Sequence, residues 1–83
     1  MKVLYFASLR SAVGIGEEEV APPAGIDRVD ALIAWLKDRS PGHAAAFAGC
    51  ARLHVAVNQD YAGLDAPVSA GDEVAFFPPV TGG

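Results

Sequence analysis

The run Glu73-Val74-Ala75-Phe76-Phe77 stops at Pro78-Pro79, and that junction constrains the fold more than any other stretch of the chain. An apolar strand runs up to residue 77, and proline, with no N–H to give to a ladder, ends it there. The last four residues, Val80-Thr81-Gly82-Gly83, offer almost no side chain to pack. The folded body must come from earlier residues, with the last strand delivering an extended tail. Glycines lack a Cβ and thread narrow passages, but they lose more entropy on ordering than any other residue. The simplest reason to place two of them last is that the terminal carboxylate of Gly83 is itself the working group. It would be presented on a thin stalk to an active site on another protein. Fully extended, residues 78–83 reach about 20 Å at ~3.3 Å per residue. The two prolines stiffen the exit from the sheet and lower the entropy lost on insertion.

The 83 residues suit one domain, 1–83, able to bury roughly 60–65% of its unfolded surface. Hydrophobic residues are 52% of the chain, enough for a core and too many for a disordered segment. The single cysteine, Cys50, excludes an internal disulfide. The start Met1-Lys2-Val3-Leu4-Tyr5-Phe6 lacks the longer apolar stretch of a signal peptide, and no segment approaches the length of a membrane span. The expected location is the cytoplasm, with no membrane partner. Ten acidic against six basic residues give a net charge of −4, which disfavours nucleic acid and favours steering toward a basic patch on a protein.

Along the chain, residues 3–7 predict a strand apolar on both alternating faces, central and buried on both sides. Residues 8–13 suit a short helical turn before Gly14. Residues 17–21, with Glu17-Glu18-Glu19, read as an edge strand kept soluble by solvated charge. After the loop at Pro22-Pro23, Asp27 is the expected N-cap of a helix, with Asp30 as the capping-box acid. Val29, Leu32, Ile33 and Leu36 recur at i, i+3, i+4, i+7 as its apolar face, with Trp35 packed beside it. Lys37 and Arg39 suit its last turn, and Ser40-Pro41-Gly42 ends it. The alanine-rich segment 44–51 reads equally as a ragged helix or a compact loop. Residues 53–57 form a third strand with Leu53, Val55 and Val57 on one face, and Asn58-Gln59-Asp60 is a turn with a very short strand near Tyr61. After a turn at 70–72 comes the last strand. The most apolar strands, first and last, pair at the centre. The result is an α+β fold: a mixed four- to five-stranded sheet with one main helix on one face and a flexible C-terminal tail, the β-grasp arrangement of ubiquitin-like proteins.

At this point the residues carry a family resemblance. Gly71-Asp72-Glu73-Val74-Ala75-Phe76-Phe77-Pro78-Pro79-Val80-Thr81-Gly82-Gly83, with Ala56-Val57-Asn58-Gln59, Phe6-Ala7, Arg10 and Gly14, resembles the small subunits of molybdopterin synthase, ubiquitin-like sulfur carriers. The resemblance spans essentially the whole chain and is weakest over residues 41–50. It implies that a partner adenylating enzyme uses ATP to turn the Gly83 carboxylate into an acyl-adenylate. A sulfur donor protein then displaces AMP to leave a thiocarboxylate. The large subunit receives the tail, as part of a heterotetramer of two small and two large subunits, and sulfur passes to a pterin precursor. Contacts with the partners fall to Gly82, Thr81, Val80, Pro79, Pro78, Phe77 and Tyr61. Alternation along the strand places Phe76 inside and Phe77 at the partner surface.

The resemblance implies no cofactor bound by the chain itself, and the residues offer no competing site. Cys50 suits a small buried hydrophobe, and His43 and His54 have no metal-ligand spacing with it or with each other. Gly14-Ile15-Gly16 is a fragment of a phosphate loop, and the three glutamates after it would repel phosphate. No catalytic constellation is present, so the chain reads as a protein co-substrate and non-catalytic subunit. A carrier for thiamine or tRNA thiolation, or a ubiquitin-like modifier joined to lysines, would share its activation chemistry; carriers of the thiamine type tend to be shorter and to lack the Phe-Phe-Pro-Pro tail. A binding module with an incidental diglycine would not share that chemistry.

Overall fold

The computed structural model describes residues 1–48 and 53–79. Its elements run β1 (Lys2–Tyr5), α1 (Ala7–Val13), β2 (Glu17–Glu19), α2 (Val29–Lys37), α3 (Pro41–Ala48), β3 (His54–Val57), β4 (Asp60–Ala62) and β5 (Glu73–Phe77). The five strands form one mixed sheet in the order β2-β1-β5-β3-β4. β1 and β5, the apolar first and last strands, pair in parallel with Val3 opposite Val74 and Tyr5 opposite Phe76. The other pairings are antiparallel.

Alternation then sorts the sheet into two faces. Val3, Tyr5, Val55, Val74 and Phe76 share one face and are buried in the core with Leu9, Val29, Leu32, Leu36, Ala46 and Phe47 from the three helices. Leu4, Ala56, Ala75 and Phe77 lie on the opposite face and stay half-buried. The first strand is therefore buried on one side, against the expectation of two. It also ends at Tyr5, because Ala7 at φ 52° takes a left-handed turn that breaks the extended run.

The helices follow expectation at the turn over 8–13 and take the helical reading of the alanine-rich segment; they depart from it in capping. Two shorter helices, α1 and α3, flank the main one. α1 closes on Gly14, whose φ of 97° and N–H bond to the Arg10 carbonyl make a left-handed C-cap. α2 begins one residue after Arg28, so Asp27 is not its N-cap. Its first free amides are met by backbone: Val29 N–H donates to the Ala66 carbonyl and Asp30 N–H to that of Leu64, while Asp27's own carbonyl accepts from Val68. The loop before β5 thus caps the helix, a long-range solution that local sequence does not announce. Arg39 lies past the end of α2, with its guanidinium 5.0 Å from the centroid of the half-buried Trp35 ring. Ser40 ends the connection and starts α3, accepting the His43 N–H on its Oγ at 3.1 Å with Pro41 in the first turn.

Asn58 and Gln59, at φ 51° and 72°, are the two central residues of the mirror-image turn that joins β3 to β4. Among the described residues no helix is long and apolar enough to cross a membrane.

Candidate functional site

β5 ends at Phe77 and the chain continues into Pro78 and Pro79, which makes the surface around Phe77 the candidate site. Phe76 points into the core, fully buried, stacked near Tyr5 and edge-on to Phe47. Phe77, one residue on, turns to the free face and is half-buried, as alternation requires. Pro78 and Pro79 come next, also half-buried. Val80, Thr81, Gly82 and Gly83, which carry the rest of the expected partner contacts and the reacting carboxylate, lie outside the described residues, as does Cys50.

Tyr61 stands on the edge strand β4 and is 82% exposed, with its ring 5.9 Å from that of Phe77 at 60°. The two predicted docking residues are therefore neighbours. Two further rings join them that sequence reasoning did not single out. Phe6 is 48% exposed and meets Phe77 edge-on at 6.3 Å. His54 lies opposite Phe77 in the β3–β5 register, with its ring 5.7 Å away and 22° from parallel. Alternation offered a signal for both: Phe6 follows Leu4 in the free-face phase, and His54 precedes the buried Val55. Leu53, His54, Val55, Tyr61, Ala62 and Phe77 together line a concavity of about 470 Å³. An aromatic cluster around an open concavity, where the chain exits toward its tail, is suited to seating an apolar part of a protein partner.

The left-handed Ala7 borders this face. A non-glycine residue there costs about 1–2 kcal/mol, and the turn it makes carries the chain past Phe6, whose N–H donates to the Phe76 carbonyl.

The other half of the molecule holds a polar cluster built on Glu18, which the sequence reading placed in solvent. Glu18, the middle glutamate of the edge strand, faces the core side, and its side chain is only 12% exposed. Its Oε2 accepts from the Tyr5 hydroxyl at 2.6 Å and from His43 Nε2 at 2.6 Å, and its Oε1 lies 3.4 Å from Arg39 Nη2. His43 is buried, and Ser40 Oγ sits 2.7 Å from its Nδ1. A carboxylate can only accept, so Nε2 carries a proton, while Ser40 Oγ donates to Nδ1 of a neutral ring or accepts from a charged one. Burial alone would raise the Glu18 carboxyl, but bonds from His43 and Tyr5 and the charges of His43 and Arg39 outweigh it and hold it below the ordinary value of 4.5. Burial, followed by the bond to Glu18, pushes the Tyr5 hydroxyl well above its ordinary range. The flanking glutamates do point outward, Glu17 to Lys2 and Glu19 to the N-terminal amine. The cluster ties edge strand to helix.

The ThiS family profile matches residues 3–83. The molybdopterin synthase sulfur carrier subunit of Escherichia coli is 46% identical over 83 residues, 100% of this chain and 99% of that protein. A solved structure from Pyrococcus furiosus, described as a candidate molybdopterin converting factor subunit 1, superposes with a TM-score of 0.78 at 38% identity over 95% of each chain. Small archaeal modifier protein 1 of Haloferax volcanii superposes with a TM-score of 0.74 at 28% identity, over 96% of this chain and 97% of its own.

Proposed function

The chain belongs to the ThiS family, and we propose that it is the sulfur-carrying small subunit of a molybdopterin synthase, working in the cytoplasm. The observation that carries this reading is the joining of two features at Phe77: the open aromatic face beneath it and the Pro78-Pro79-Val80-Thr81-Gly82-Gly83 run beyond it. The full-length likeness to the sulfur carrier of Escherichia coli supports it.

In this reading an adenylating enzyme spends ATP to attach AMP to the Gly83 carboxylate. A free carboxylate is a poor electrophile, and AMP gives it a leaving group. A sulfur donor protein displaces AMP, leaving a thiocarboxylate. The carrier then seats its aromatic face on the large subunit, in an assembly of two small and two large subunits, and the tail enters that subunit's active site. Sulfur attaches to the pterin precursor, water cleaves the remaining acyl–sulfur bond, and the carrier leaves as a carboxylate for recharging. The chain's own part is to bind and to present. It holds no ATP itself and needs no bound metal or cofactor for this.

Deleting Gly83, or appending residues after it, abolishes sulfur loading in a reconstituted assay while melting behaviour stays unchanged. An appended variant that still loads without being trimmed overturns the terminal-carboxylate mechanism.

The likeness to an archaeal modifier protein favours a second reading, conjugation to lysines through the same activated terminus. Mass spectrometry of the protein from its native cell separates the two. A thiocarboxylate adds about 16 Da to the free acid, whereas a modifier is found isopeptide-linked to other chains.

A further inference from the structure

Phe77 is the last ring before the tail, and its surroundings on the free face are sparse. The residue two before it on β5 is Ala75, and the residue two after His54 on β3 is Ala56. Each of these two same-face neighbours carries only a methyl group. Among the described residues, three aromatic side chains touch it, and they are not equivalent. Phe6 and Tyr61 meet it edge-on, at 84° and 60°. Phe6 is half exposed just past the end of β1, and Tyr61 stands 82% exposed on the edge strand. His54 alone stacks on the face of the ring, 22° from parallel, and it does so from the start of β3, directly opposite Phe77 in the β3–β5 register.

We propose that His54 is a positioning residue for the docking face: its imidazole, stacked on Phe77, fixes the orientation of that ring before the partner arrives. The ring forms one wall of the concavity and His54 another, so one stacking contact sets the shape of the seat. A side chain already held in its bound orientation loses less freedom on association, which tightens binding without any new contact to the partner. A planar ring is required for this. An aliphatic side chain at position 54 would bury similar area but leave Phe77 free to rotate. The inference rests on the proposed carrier function, since the face matters only if a large subunit seats on it.

The test is a series, His54→Ala, His54→Leu and His54→Phe, titrated calorimetrically against the cognate synthase large subunit. Phe77 side-chain rotamers are measured by NMR in each free protein, and melting temperatures are recorded alongside. His54→Ala and His54→Leu weaken binding about three- to tenfold, the usual worth of an aromatic pair, while His54→Phe restores it to within about twofold. In the two weakened variants Phe77 spreads over several rotamers, and in His54→Phe it returns to one. Equal binding by the leucine variant, or affinity that follows melting temperature rather than the presence of a ring, overturns the role of His54 alone. Failure of the unsubstituted chain to bind the large subunit overturns the proposed function, and this inference falls with it.

Discussion

At the scale of single residues, Glu18 shows how little a run of like charges says about where each member points. Strand alternation turns the middle glutamate inward, and the groups that receive it, Tyr5 and His43, come from 13 and 25 residues away. A buried carboxylate is costly unless hydrogen-bonded, and here both oxygens are engaged. The sign of the pH effect is set by its depressed folded value. The contribution is fully present above the ordinary value of 4.5 and is lost as pH falls through the lower folded one. Glu18→Gln keeps the shape and removes the charge, so at neutral pH it costs about 1–3 kcal/mol. That difference shrinks as pH is lowered below 4.5. Denaturant unfolding of both proteins from neutral to acidic pH checks this; a gap that stays constant over the range would show that the carboxylate charge is not its source.

At the scale of elements, legibility tracked how strongly each segment's pattern was written. β5 and the buried face of α2 are plain in the sequence because one has an apolar run closed by prolines and the other a 3.6-residue repeat of large side chains. α3 was ambiguous because alanine is neither clearly apolar nor polar. Its buried set, His43, Ala46 and Phe47, does follow i, i+3, i+4, but one member is a histidine and another an alanine. The cap of α2 was illegible for a different reason: its partners, Leu64 and Ala66, are loop carbonyls brought in from far along the chain. Close helix approach was likewise invisible. A Cβ built on Gly42 would stand 2.6 Å from the Ala12 carbonyl oxygen of α1. Intrinsic propensity favours alanine over glycine in a helix by about 1 kcal/mol. The clash is with backbone, which has no side-chain rotation to relieve it, so packing wins over propensity. Gly42→Ala therefore destabilises by about 1–3 kcal/mol in denaturant unfolding, as overpacking does. A stabilised variant would mean that α1 and α3 part more easily than their contact implies.

At the scale of the whole molecule, one sheet has a buried face and a free face, and period-two alternation in β5 divides adjacent residues between them. Phe76 belongs to folding: it is fully buried among Tyr5, Phe47 and Val55. Phe77 is assigned to docking by the proposed function: its neighbours Phe6, His54 and Tyr61 all lie on the free face, none of them in the core. The two phenylalanines are identical in chemistry and consecutive in sequence, so they make a controlled comparison. Phe76→Ala removes a ring from a packed interior and costs about 3–5 kcal/mol. Phe77→Ala loses only partial burial and costs far less stability, but it removes the centre of the aromatic cluster and weakens binding to the large subunit. Tyr61→Asp, on the exposed edge strand, also leaves melting nearly unchanged and places a charge where an apolar contact is needed, so binding falls again. Thermal melts read with titration calorimetry on the same three proteins check the division. Equal losses of stability at the two phenylalanines would sink it. So would undiminished binding by both free-face variants, because a partner indifferent to Phe77 and Tyr61 must approach the tail across some other surface.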